Sequence, residues 1–238
     1  MSKPRLLTIL LLLALPGLTE AQAQKAAPYP VMAPVEQYLI PDVQEEVALA
    51  RTAAPASISA DAEVLVLTKQ GYKPAAAGGN GFVCFVERSW TAGFEDGEFW
   101  NPRIRAPNCF NPPAVRSVLP QYLRRTEWVL AGATRAQAIE KARAEFATHG
   151  FIAPEAGSFS FMLSKQSYDG DAAGGPWHPH IMFFLPHGEA SAWAAGLKGS
   201  PILGSDGSPV EPTVLFVPVP HWSDGSSSLS PAEHTHGQ

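Results

Sequence analysis

The sequence predicts an α+β fold, with an antiparallel sheet of about five strands and helices packed on one face. Three observations predict it. Apolar, β-branched or alternating runs fall into an early group, 63–68 and 81–88, and a late group, 158–164, 180–185 and 214–219. Segments with helical period lie between the groups, from about Pro113 to His149. Strands and helices thus come in separate runs instead of alternating, which favours an antiparallel sheet over parallel βαβ units.

In chain order, residues 1–23 read as a secretory signal peptide. Lys3 and Arg5 start it, Leu6 to Leu15 is its apolar run, and Ala21-Gln22-Ala23 offers the small-x-small cleavage pattern. An apolar run of about ten residues is too short to cross a bilayer, which takes about 20. No cysteine lies near the cleavage site for a lipid anchor, and there is no twin-arginine pair. The mature chain is expected to begin at about Gln24 and to work outside the cytoplasm, in the periplasm or the medium. Removing Lys3, Arg5 and Glu20 leaves 215 residues, with 15 basic and 21 acidic side chains and a formal charge of −6. Such a chain lacks the basic footprint that nucleic acids and anionic membranes require. No later segment is apolar enough for a transmembrane span.

Residues 24–40 are an Ala- and Pro-rich lead-in, and 41–222 are expected to form a single domain. Asp42, with Glu45 three residues on, marks a helix start; Val43, Val47 and Ala50 share a face, and Pro55 ends the helix. Glu45-Glu46 reads as its solvated face. Gly71, Pro74, Gly78-Gly79 and Asn80-Gly81 make the connection between the first two strands look like a loose hairpin loop. Residues 89–111 are turn-rich and carry Trp90, Phe99 and Trp100, either a binding surface for sugar or peptide or a cover over the sheet. Thr134 and Gln137 form a capping box for a helix to His149, with Ile139, Ala142 and Phe146 as its buried stripe and Gly150 as its stop. Residues 158–164 alternate Ser with Phe or Leu, as a half-buried strand does, and Pro218 places the end of the last strand at an edge or terminus. Residues 223–238 collapse to small polar residues and are expected to be disordered.

Cys84 and Cys109 are the chain's two cysteines. In an oxidising compartment they are expected to pair; a buried free Cys84 is the alternative. The motifs Asn80-Gly81-Phe82-Val83-Cys84, Leu163-Ser164-Lys165-Gln166 and Trp177-His178-Pro179-His180-Ile181-Met182-Phe183-Phe184 resemble an uncharacterised family of secreted bacterial proteins. The resemblance covers about Glu45 to Trp222 and implies a similar fold and export, with no activity attached.

One constellation could carry chemistry. His178 and His180 are two residues apart at a strand start, so both rings could face one ion, zinc or copper. His221, His187 or Glu87 could complete such a site, and an open fourth position would hold a water acidic enough for hydrolysis. A packed, hydrogen-bonded pair among Trp177, Met182 and Phe184 is the structural alternative. There is no Gly-x-Ser-x-Gly elbow and no Gly-rich phosphate cradle after a strand. The sequence therefore favours an exported binding or envelope-associated module without cofactor, with a small molecule, glycan or envelope protein as partner. A zinc- or copper-dependent hydrolase is the second class.

Overall fold

The computed structural model describes residues 28–171 and 177–229, so the expected signal peptide (1–23) and residues 230–238 of the expected tail lie outside the described residues. α1 (Val43–Arg51) starts at the expected cap: the Asp42 carboxylate accepts from the Gln44 and Glu45 amides. The short α2 (Ala56–Ser59) follows Pro55. The strands are β1 (Glu63–Thr68), β2 (Gly71–Ala76), β3 (Val83–Glu87), β4 (Ala106–Phe110), β5 (Phe159–Met162), β6 (His180–Leu185), β7 (Leu203–Ser205) and β8 (Thr213–Pro218). Between β4 and β5 lie α3 (Pro112–Ser117), α4 (Leu119–Leu130) and α5 (Arg135–Ala147), the last with the Thr134–Gln137 capping box formed in both directions.

Eight strands, not about five, form one sheet in the order β2-β1-β3-β4-β5-β6-β8-β7, antiparallel at every joint except β1–β3. Each of the five expected strands is present; β2, β4 and β7 are added to them. β2 occupies the supposed hairpin loop. It turns back at Lys69-Gln70 to pair with β1 at the sheet edge, where Pro74 is tolerated. The chain then crosses to the other side of β1, which makes β1 and β3 parallel. Gly78 allows that crossing, since a Cβ there would lie 2.1 Å from the Glu63 amide nitrogen.

The helices cover both faces, not one. Val64, Val66, Cys84, Val86 and Cys109 pack with Val47 and Ala50 of α1. The alternate residues Leu65, Leu67, Val83, Phe85 and Phe110 pack with α3, α4 and α5. Alternation along a strand sends successive side chains to opposite faces, so these are two cores with the sheet between them. Trp90, Phe99 and Trp100 belong to the second and are almost fully buried, so they form no exposed binding surface.

Glu46, expected to be solvated, is 1% exposed and pairs with the fully buried Arg88 at 2.9 Å. Its carboxylate also accepts from the Leu67 amide, which lies past the end of the β1–β3 pairing. Along β5 the alternation holds, but Ser160 and Met162 are the buried side. Phe159 and Phe161 lie half-buried on the opposite face in ring contact with Phe82. Cys84 and Cys109 sit directly opposite each other on β3 and β4 and form a disulfide. Residues 223–229, the start of the expected disordered tail, fold back in a turn: the Ser223 amide donates to the Leu163 carbonyl and the Trp222 amide to Ser226. No helix among the described residues is long and apolar enough to cross a membrane.

Candidate functional site

The register aligns Asn108 with Phe85 and His180 with Met162 and Pro218, on the sheet face that α4 covers. Toward β6–β8 the helix no longer reaches the sheet, and a cavity of about 690 Å³ opens there. Met162, Met182, Val214 and Phe216 form its apolar floor; Gln121, Tyr122 and Arg125 of α4 form one wall, and the segments 91–96 and 204–212 complete it.

Two polar poles flank this floor. At the first, His180 opens β6 because Pro179 fixes the backbone before it and leaves the ladder to begin at the next residue. Its ring lies 4.9 Å from the Trp177 ring and 5.4 Å from Phe216. Nδ1 lies 2.9 Å from the His178 carbonyl oxygen. A carbonyl only accepts, so Nδ1 carries the proton and the neutral ring presents a bare lone pair at Nε2. Burial lowers the His180 pKa and so favours the neutral ring, an effect that the His178 carbonyl and Asp169 partly offset. His180 Nε2 and Trp177 Nε1 are both buried and have no hydrogen-bond partner among the described residues. Asp169 stands at the rim, its carboxyl held up by partial desolvation and by Glu98 and Asp96.

The second pole is the end of β3. Val83, Phe85 and Glu87 alternate onto the inward face, so Glu87 is buried. Thr91 Oγ1 donates to Oε2 at 2.9 Å and Asn108 Nδ2 to Oε1 at 2.5 Å. Desolvation nevertheless outweighs these donors and Arg125, and pushes the Glu87 carboxyl up to about 7. Tyr122 is raised well above its ordinary value by the same burial. Arg125 is fully engaged. It pairs with Glu211 at 3.0 Å, donates to the Ala92 carbonyl at 2.7 Å and covers the Phe94 ring at 3.8 Å.

His178 and His180 therefore line one cavity, while His187 and His221 do not. His187 lies beyond the far end of β6 and approaches the Asp206 carbonyl; His221 is exposed in a bridge to Ser227. Glu87 is three strands from His180, roughly 14 Å at the usual strand spacing. Among the described residues, no three His, Cys, Asp or Glu side chains are grouped to hold a metal ion.

Sequence reasoning missed Arg125, Tyr122, Glu211 and Asp169. A signal for two of them was present: Tyr122, Arg125, Thr126 and Val129 follow the 3–4 spacing of one helix face, which marks Arg125 as a charge inside an apolar stripe. Comparison with known proteins adds nothing to this geometry. No family model, curated protein or solved structure matches the chain.

Proposed function

We propose that this chain is an exported binding module whose cavity takes a small, mostly apolar molecule through Trp177 and His180. One observation carries the reading: two buried polar atoms without partners among the described residues belong to adjacent rings that line one cavity. Leaving such atoms unsatisfied costs about 1–3 kcal/mol each, a cost a bound ligand would remove. An apolar pocket with a few convergent polar groups is the usual form of a small-molecule site. Export is supported by the leader-like residues 1–23 and by a cysteine pair suited to an oxidising compartment. N-terminal sequencing of the native protein should begin near Gln24, and an intact Met1 would overturn that part.

The test of binding uses 1-methoxynaphthalene, a neutral bicyclic probe. Calorimetry should give saturable binding to one site, and Val214→Trp, which fills the floor, should abolish it. Absence of saturable binding of both this ether and 1-naphthol, or binding unchanged by Val214→Trp, would overturn the reading. The metal-dependent hydrolase is the weaker reading, because His180 offers a ligating nitrogen but no third donor stands near it among the described residues. Metal analysis of the purified protein decides between them: a stoichiometric zinc or copper ion would replace the binding reading with the enzyme.

A further inference from the structure

We infer that the Trp177–His180 end of the cavity recognises a neutral group that both donates and accepts a hydrogen bond, a hydroxyl or a carboxamide, on an otherwise apolar ligand. The inference rests on the binding reading above and names its ligand class.

The complementarity follows from the two atoms. Indole Nε1 only donates. His180 Nε2 only accepts, since the His178 carbonyl holds the ring's proton on Nδ1. A ligand that satisfies both must bring an acceptor to Trp177 and a donor to His180. An ether or ketone leaves the imidazole lone pair bare, and an ammonium leaves the indole N–H without an acceptor. A hydroxyl serves both through one oxygen, and a carboxamide through its two ends.

Charge excludes a carboxylate. The acidic groups lining the cavity are Glu87, Asp96, Asp169 and Glu211. Its two cations are already engaged, Arg88 with Glu46 and Arg125 with Glu211. An anion would meet no free cation and would face Asp169, which acts electrostatically on His180. Methyl and ring carbons fit the remaining floor of Met162, Met182 and Phe216.

The test compares four probes of one size at neutral pH: 1-naphthol, 1-naphthamide, 1-methoxynaphthalene and 1-naphthoate. Naphthol or naphthamide, or both, should bind about tenfold or more tightly than the methyl ether, because a site's unpaired polar groups discriminate strongly against ligands that cannot satisfy them. Naphthoate should bind most weakly. His180→Phe and Trp177→Phe keep an aromatic ring and remove the polar atom. His180→Phe should erase the preference, because it removes the lone pair that the ether cannot satisfy, whereas Trp177→Phe removes a donor that every probe can use and should weaken all four. Equal binding of the ether and both neutral partners, tighter naphthoate, or a preference that survives His180→Phe would overturn the inference while leaving the binding reading intact. No binding by any of the four probes would overturn both.

Discussion

Glu87 shows how one side chain can set a pH dependence for the whole chain. Its proton is held in the folded state up to about pH 7, whereas the unfolded chain releases it near 4.5. The associated stability is therefore complete below the unfolded value and is lost as pH rises through 7, amounting to about 3 kcal/mol over the window. Glu87→Gln is expected to flatten the fall in urea-unfolding free energy between pH 5 and pH 8. An unchanged slope would assign it to another group. Arg88 makes the opposite case, a charge that cannot be lost singly. Its Nε donates to the Tyr38 carbonyl, Nη1 to Val86 and Nη2 to Glu46. Arg88→Met leaves the Glu46 carboxylate buried alone and should cost about 3–5 kcal/mol. Adding Glu46→Leu to that variant should recover part of the loss, which urea titrations of both proteins would show.

At the scale of elements, the central joint is β3–β4, where the disulfide links two neighbouring strands across 25 residues of chain. The loop between them carries Trp90, Phe94, Phe99 and Trp100 into the main core, so closing it in the unfolded state removes disorder that the fold must otherwise suppress. A loop of that length corresponds to about 3.5 kcal/mol in the chain-entropy account. Reduction should lower the melting temperature accordingly, and Cys84→Ala/Cys109→Ala should match the reduced protein. Elements with a strong local signal were legible. The capping box of α5 and the alternating run of β5 are written in adjacent residues. β4 was not, since Ala-Pro-Asn-Cys-Phe has no alternation of its own and becomes a strand because β3 and β5 flank it. β7 is three residues long and forms only against β8.

Over the whole molecule, three distant segments meet at the ion pair of Arg125 and Glu211. Glu211 also accepts from the Phe94 amide and the Ser208 amide, so α4, the 91–96 segment and the 207–212 segment are held as one wall of the cavity. Glu211→Gln should loosen both segments together: amide exchange at 91–96 and 207–211 should speed up while β3 and β4 stay protected. Faster exchange in one segment alone would show that the wall is not a single unit.

The sequence by itself determined the local structure: where α1 and α5 begin, five of the strands, the two cysteines that pair and the His178-Pro179-His180 run. These depend on side-chain period, caps and residue chemistry within a few positions. Only the tertiary structure decided which faces are buried, because burial depends on what packs from elsewhere in the chain. Glu46 is buried because Arg88 approaches it from just past β3, Ser160 faces the helix-covered main core while Phe161 packs against the α1 side, and Glu87 holds its proton because the cavity wall dehydrates it. The histidine pair was visible as a motif. Its meaning came from the fold, which ties Nδ1 of His180 to the backbone and leaves Nε2, in the ring next to Trp177, without a partner among the described residues.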